Sequence, residues 1–381
     1  MDLSLSDEQR LLRDSVERFV RDAYGFEQRK AVVAEAGGFS RRHWATFAEL
    51  GWLALPFAEA DGGLGGGGPE VAILMEAFGR GLVVEPYVPT VILCGGLVAA
   101  LAEGGRRSAL LEPLLEGRLQ LALAHAERQA RYDLFDIATT AQRQEGGGYV
   151  LDGRKSVVLN APAADWLIVA ARTAGDRRDR SGISLFLVDR AAPGLDLRDY
   201  PTLDGQRAAE VTLTGVTVPT DALLGPEGSA LPAIEAATDR AIAALCAEAV
   251  GCIDHLVAAT VEYTRTRVQF GQPIARFQVL KHRMADMAVC LEQARSMAAY
   301  AARHWDTADA AVRSRAMSAA KAKVGQAARF VAQQAVQLHG AMGVTEELNV
   351  GHYMKRLMAI EVAFGSTDHH LRRFGSLEDA A

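Results

Sequence analysis

The spacing of apolar residues divides the chain into three parts. Up to about residue 118, and again from Leu231 onward, apolar positions recur every three or four residues, as in amphipathic helices. From near Leu119, short apolar runs separated by Gly, Asp and Pro turns indicate β-strands. The pattern predicts a mainly α protein with a central β-domain. Its parts are an N-terminal α-helical domain over 1–118, a small antiparallel β-barrel or sandwich over 119–228 and a C-terminal helical bundle over 229–381.

Local signals place individual elements within these domains. Ser6 and Gln9 form a capping-box pair, which predicts that the first helix begins beside them. Further N-terminal helices are predicted near 69–80, 90–103 and 106–116. Strands of the central domain are predicted at 148–153, 166–171, 183–188 and 211–216.

A glycine-rich loop contains the spacing G-x-G-x-x-G at Gly63, Gly65 and Gly68. A dinucleotide fingerprint needs a buried strand before these glycines and a βαβ unit around them. Here a helical pattern precedes the loop, and Pro69 is suited to the first turn of the next helix. The loop is therefore predicted to be a turn between helices.

Composition limits the classes of function. The chain has 381 residues, 49% of them hydrophobic, and a net charge of -6, whereas nucleic-acid binding needs a basic field. The four cysteines show no C-x-x-C spacing, and no metal-binding motif is present. The N-terminus lacks the basic flank and apolar run of a signal peptide, and no apolar run reaches the length of a membrane span. We expect a cytoplasmic protein with no metal site, no nucleic-acid partner and no membrane span.

A basic turn interrupts the C-terminal helical region. The stretch 263–278 reads YTRTRVQFGQPIARFQ, in which Arg265 and Arg267 precede a break at Phe270 to Pro273. Arginine side chains present permanently charged, forked donors that suit phosphate oxygens. The turn is a candidate site for a phosphate-bearing ligand. The alternative is that both arginines are solvated charges at a helix end and that Phe270 belongs to the core.

A second turn follows the next long helical pattern, where residues 337–343 read QLHGAMG. Glycines allow the main chain to approach a ligand closely and to offer N–H groups to phosphate. By itself, this sequence indicates no more than a structural turn after a helix.

Together, the two turns resemble a known family. R-x-x-F-G-x-P-I-x-x-F-Q over 267–278 and the glycine turn over 337–343 are similar to the signatures of acyl-CoA dehydrogenase flavoproteins. The resemblance implies FAD as cofactor, an acyl-CoA substrate, α,β-dehydrogenation and an electron-transfer flavoprotein as electron acceptor. It further implies that one subunit holds the ADP half of the FAD of its neighbour. The implied cofactor-binding residues are Arg267, Phe270, Gln278, Gln337, Gly340, Ala341 and Gly343.

The central domain departs from this family where the family holds the flavin ring. The family has V-T-E-P-x-x-G-S-D and W-I-T-N segments there, whereas this chain has His125-Ala-Glu-Arg128 and Val157-Val-Leu-Asn160. The polar edge of a buried ring needs hydrogen-bond partners, which aliphatic side chains do not provide. We expect that this β-domain does not hold a flavin ring in the family's manner.

The family's catalytic base is also missing. Abstracting the proton beside a thioester carbonyl requires a positioned carboxylate. The two positions at which the family carries this base correspond to Phe364 and Ala241, so no catalytic residue is assigned. Asp239 and Glu361 are the nearby carboxylates.

This combination resembles the small, base-lacking subunit of heteromeric acyl-CoA dehydrogenases acting on pimeloyl-like or steroid side-chain thioesters. The expected partner is a homologous, Glu-bearing subunit in an α2β2 heterotetramer. Two alternatives stay open. One is a homo-oligomeric dehydrogenase, a dimer or tetramer, whose base is relocated to Asp239 or Glu361. The other is a non-catalytic scaffold subunit without flavin.

Overall fold

The computed structural model describes residues 5–378, which form two compact units. The first unit combines the described parts of Met1–Ala31, Gly67–Val83 and Ile242–Ala381, and the second combines Val32–Gly66 and Val84–Ala241. The three-part division of the sequence into 1–118, 119–228 and 229–381 stays a prediction, because these units group segments by proximity and not by order along the chain.

Helices make up most of the first unit and part of the second. In chain order they are α1 (Asp7–Ala23), α2 (Phe26–Val33), α3 (Arg41–Glu49), α4 (Gly68–Gly81), α5 (Gly96–Leu101), α6 (Gly104–Leu115), α7 (Leu231–Thr266), α8 (Gln278–Arg303), α9 (Ala310–His339), α10 (Val350–Val362) and α11 (Thr367–Glu378). A π-helical segment, Tyr87–Gly95, leads into α5, where the sequence predicted one α-helix.

Two local predictions are confirmed. Ser6 Oγ accepts a hydrogen bond from the Gln9 N–H, and the Gln9 side chain accepts one from the Ser6 N–H, which is the capping box at the start of α1. The glycine-rich loop runs from α3 to α4 without a strand, and Pro69 lies in the first turn of α4. The loop is thus a turn between helices.

Strands of the second unit form one eight-stranded sheet in the order β6-β7-β3-β2-β4-β5-β8, with β1 beside β4. They are β1 (Leu121–Ala124), β2 (Thr140–Arg143), β3 (Tyr149–Leu159), β4 (Trp166–Arg172), β5 (Ile183–Asp189), β6 (Leu195–Pro201), β7 (Arg207–Val218) and β8 (Leu223–Leu224). A separate hairpin consists of β9 (Val268–Gln269) and β10 (Gln272–Pro273).

The central β-domain is confirmed, but its pairing is not wholly antiparallel. All four predicted strands are present, as β3, β4, β5 and β7. The β1–β4 and β2–β4 pairings are parallel, because each joins strands that do not follow each other along the chain, whereas β2 and β3, which do, form an antiparallel hairpin. Tyr149, Leu167, Phe186 and Val211 are among the fully buried side chains that fill the core of this sheet.

α7 is a 36-residue helix whose apolar side chains pack inside the protein. Its most apolar window has a mean hydropathy of 1.7, enough in length and composition to cross a membrane, yet 78% of that window is buried inside the protein. Gly251 lets α7 lie directly against α4, since a Cβ at this position would be 1.9 Å from the Glu76 carbonyl oxygen. Glu248 and Arg356 form a buried ion pair beside this crossing.

Candidate functional site

The predicted basic turn is a tight hairpin at the end of α7. The Arg267 N–H donates to the Tyr263 carbonyl at 2.9 Å, and the Ile274 N–H donates to the Arg267 carbonyl at 2.9 Å. Between these bonds, β9 and β10 are joined by Phe270 and Gly271, with φ of 54° and 76°. Positive φ at both central residues is the requirement of a type I′ hairpin turn, and it is unfavourable for phenylalanine.

The side chains of this turn face outward. Arg265, Arg267 and Gln278 are exposed, and Phe270 is 89% exposed, so the alternative that Phe270 is a core residue is wrong for the chain by itself. Among residues 5–378, the guanidinium of Arg267 makes no ion pair or side-chain hydrogen bond. Gln278 is the first residue of α8, where N–H groups and the helix dipole favour an anion. An uncommitted guanidinium therefore lies in the same turn as this helix start.

The second predicted turn closes α9. Gly340 has φ 62° and ψ −143°, a conformation that side-chain-bearing residues avoid, and a short 3-10 turn follows over Gly340–Val344. Gln337, Gly340 and Ala341 are exposed, whereas Gly343 is buried. A Cβ at Gly343 would lie 2.8 Å from the Val336 carbonyl oxygen. Conformation requires glycine at 340, and lack of space requires it at 343.

The structure brings the two turns together through residues that the sequence analysis did not assign to a site. Tyr263 Oη donates to the His339 carbonyl at 3.3 Å, and the two rings stack with centroids 4.3 Å apart. Burial lowers the pKa of His339, and its Nδ1–H donates to the Ala335 carbonyl. The available signal was positional, since Tyr263 lies one helical turn before Arg267 and His339 directly precedes Gly340.

The stretch aligned with the family's flavin-ring segment W-I-T-N presents hydrocarbon side chains over 157–159. Val157 is 55% exposed with φ 52°, and Val158 is buried. Asn160 turns its amide inward, donating to Thr90 Oγ1 at 3.0 Å and Gln120 Oε1 at 3.1 Å. The side chains of 157–159 therefore contain no polar atom for a ring edge.

The other ring-segment position is occupied by a buried ion pair. Lys155 Nζ lies 2.6 Å from Glu127 Oε1, and the same carboxylate accepts hydrogen bonds from Thr139 Oγ1 and the Ala138 N–H. Burial would raise the pKa of Glu127, but the Lys155 charge and these hydrogen bonds outweigh burial and lower it to about 2. The Glu127 carboxylate is thus ionised and bound by buried groups of its own domain.

Neither position aligned with the family base holds an acid. Phe364 lies between α10 and α11 with φ 56°, and Ala241 is fully buried in α7. Hydrogen bonds from two buried side chains fix the backbone of the connection around Phe364. Lys321 Nζ donates to the carbonyls of Glu361 and Gly365 at 2.9 and 2.8 Å, and His370 Nε2–H donates to the Phe364 carbonyl at 3.1 Å.

The nearby carboxylates have different surroundings. Glu361 Oε1 accepts from Arg329 Nη2 at 3.0 Å and from the Thr367 N–H at 3.1 Å, so it binds a neighbouring helix and the first turn of α11. Asp239 is fully buried within α7, two residues before Ala241. On a continuous helix this offset turns the two side chains about 200° apart.

Comparison with known proteins resolves the family. Family models described as acyl-CoA dehydrogenase N-terminal, middle and C-terminal domains match residues 6–118, 122–216 and 231–376. The chain belongs to the acyl-CoA dehydrogenase family. Benzylmalonyl-CoA dehydrogenase of Aromatoleum aromaticum is 30% identical over 374 residues, covering 97% of each chain. This family comprises FAD-dependent oxidoreductases that act on the CH–CH bond of acyl-CoA.

Two solved acyl-CoA dehydrogenase-like structures share the whole fold. The FAD complex of PigA is 26% identical, with a TM-score of 0.91 over 100% of this chain and 99% of that chain. A variant of the Tcur3481–Tcur3483 steroid ACAD is 27% identical, with a TM-score of 0.87 over 99% of each chain. The predicted family and fold class, helical domains on either side of a central β-domain in sequence, are confirmed.

The two ends of FAD, the ADP moiety and the isoalloxazine ring, can each be compared with the residues that would contact them. The open guanidinium, the start of α8 and the glycine turn have the donors that an ADP moiety requires, so these residues fit that end of the cofactor. The hydrocarbon side chains at 157–159 do not fit the polar edge of the isoalloxazine ring. The residues of this chain thus fit the ADP end of an FAD and do not fit its ring end.

Proposed function

We propose that this chain is the base-lacking subunit of a heteromeric acyl-CoA dehydrogenase and contributes the ADP side of a shared FAD site. Arg267, Phe270 and Gln278 from one turn would hold the nucleotide, together with Gln337, Gly340, Ala341 and Gly343 from the other. The observation that carries the proposal is the contrast within one chain. The two turns proposed to hold the nucleotide are formed and exposed to solvent. Phe364 and Ala241, by contrast, leave both base positions without a carboxylate.

The partner would be a homologous, Glu-bearing subunit in an α2β2 assembly. Bound FAD supplies an acceptor for the β-hydrogen, delivered as hydride, and an electron-transfer flavoprotein would reoxidise it. Proton abstraction at the α-carbon needs a positioned carboxylate, typically worth 10²–10⁴-fold, which the partner would provide. The similar Tcur3481–Tcur3483 steroid ACAD, whose name joins two proteins, supports an assembly of this kind.

The first experiment is purification of the chain alone and together with a Glu-bearing homologue. We expect the lone chain to lack a full flavin spectrum and to show no dehydrogenase turnover, and the mixed complex to show both. A lone chain with stoichiometric FAD and turnover would overturn the proposal.

Charge reversal in the basic turn separates a shared site from a scaffold. Arg267→Glu in the mixed complex should release FAD, since it places a carboxylate against phosphate. Arg265→Glu is a neighbouring control at the end of α7. Unchanged FAD content in Arg267→Glu would support a scaffold subunit that holds no flavin.

The homo-oligomeric alternative makes a different prediction. If the base is relocated, the lone chain turns over substrate, and either Asp239→Asn or Glu361→Gln abolishes this activity. Asp239 and Glu361 both interact with other groups of the protein, so the two variants are tested in parallel.

A further inference from the structure

A stacked aromatic pair connects the ends of α7 and α9. Tyr263 and His339 are 76 residues apart in sequence, yet their ring centroids are 4.3 Å apart at an interplanar angle of 29°. Neither residue is among those proposed to contact FAD. We propose that they are positioning residues, which fix the two nucleotide-holding turns relative to each other and so set the affinity for the ADP end of the cofactor.

On the α7 side, Tyr263 controls the placement of Arg267. Its carbonyl accepts the Arg267 N–H at 2.9 Å, and the Arg267 carbonyl in turn accepts the Ile274 N–H at 2.9 Å. The hairpin that carries Phe270 is therefore attached to the helix through the residue whose ring touches His339. A shift of this ring moves the whole hairpin relative to α9.

On the α9 side, the pair fixes the peptide that precedes Gly340. The His339 carbonyl accepts Tyr263 Oη, and the Gly340 N–H of the same peptide donates to the Gln337 carbonyl. Both polar ends of this peptide plane are thereby held. His339 is 4% exposed, and its Nδ1–H donates to the Ala335 carbonyl, so the ring cannot rotate freely. The direction of the following turn depends on these contacts.

The inference rests on the proposed function and is tested by ADP binding. Tyr263→Phe removes only the hydroxyl, and Tyr263→Leu also removes the ring. Calorimetric titration of ADP into the purified full chain should show a dissociation constant roughly 5-fold higher for Tyr263→Phe, the worth of one neutral hydrogen bond. Tyr263→Leu should raise it by about 10-fold or more, since the stack is lost as well.

Tyr300→Phe is the matched control. Tyr300 lies 4.3 Å from the His304 ring near the end of α8, in a pair that does not join the two turns. Removal of the Tyr300 hydroxyl should leave the dissociation constant for ADP unchanged. Thermal unfolding of each variant, recorded without ligand, separates positioning from stability. A purely structural role would lower the unfolding midpoint of the Tyr263 variants but leave the dissociation constant of the folded protein unaltered.

The outcomes distinguish this inference from the function on which it rests. If the folded Tyr263→Phe and Tyr263→Leu proteins bind ADP as the wild type does, the positioning role is overturned. The proposal of a shared FAD site is not affected by that result. A wild-type chain that binds no ADP, together with no effect of Arg267→Glu on FAD in the mixed complex, would overturn the shared site and the inference with it.

Discussion

Lys321 is a charged residue that the folded protein buries. It is 1% exposed in α9 and faces Cys246, Glu361 and His370, and burial lowers its pKa to about 8 from the ordinary 10.5. Between pH 8 and 10.5 the unfolded chain holds this proton more firmly than the folded protein does, so stability contributed by Lys321 rises with pH. Below pH 8 the cost of the buried charge is present in full.

This sign gives a measurable pH dependence. The difference in unfolding free energy between the wild type and Lys321→Met should shift in favour of the wild type as pH rises from about 8, by up to about 1.4 kcal/mol per unit. Urea unfolding at a series of pH values measures it, with Lys281→Met at an exposed position of α8 as the control. Parallel curves for the wild type and Lys321→Met would show that the buried amine does not titrate there.

Val157 is strained where the family has its ring-flanking tryptophan. It combines a β-branched side chain with φ 52° and is 55% exposed, so its side chain gains little packing in return. Val157→Asn should raise the unfolding free energy by about 0.5–1 kcal/mol, because asparagine tolerates the left-handed region. Val289→Asn, at an equally exposed valine inside α8, should lower it slightly. A loss of stability in Val157→Asn would mean that the valine side chain has an unrecognised contact.

At the scale of elements, the crossing of α4 and α7 depends on glycine. Gly251→Ala would place a Cβ 1.9 Å from a backbone carbonyl that has no rotamer by which to escape. We expect a loss of about 1–3 kcal/mol, as for overpacked cores. Gly375→Ala in α11, where no atom of the described residues beyond the neighbouring helix backbone lies within 4 Å of the added Cβ, should instead stabilise by about 0.5–1 kcal/mol. Thermal or urea unfolding of both variants tests the contrast; equal effects would contradict it.

At the scale of the whole molecule, Phe270 marks a surface that the lone chain leaves open. Phe270 is 89% exposed at positive φ, and its ring contact within the described residues is an edge-on one with Phe277, with centroids 5.9 Å apart. Phe270→Ser should leave the unfolding midpoint of the lone chain nearly unchanged and weaken both assembly and FAD retention of the mixed complex. Sedimentation velocity and flavin absorbance measure the two effects. Unaltered assembly would place the subunit interface elsewhere.

Prediction from the sequence succeeded where the signal is local. Capping at Ser6, the strands at 148–153 and 183–188, and the turn at 270–273 follow from neighbouring residues, and the structure has each of them. The parallel pairing of β1 with β4 was missed, because it joins segments whose pairing is decided by the whole sheet.

The candidate site shows the same limit. The two turns and the missing carboxylates at 241 and 364 could be found from motif spacing. Nothing local shows that Tyr263 stacks on His339, or that Glu361 is bound to Arg329. These contacts join separate helices, and their formation depends on how the helices pack.

The sequence by itself determined the types of element, the glycines required by backbone conformation and which chemical groups are absent, because each of these depends on residue identity and short-range periodicity. Only the tertiary structure decided which side chains meet. Its examples are the ring pair at the ends of α7 and α9, the buried Lys321 amine that binds the connection around Phe364, and the ion pair of Glu127 with Lys155. The physical reason is that such contacts form between residues distant in sequence, once many helices and strands have packed together.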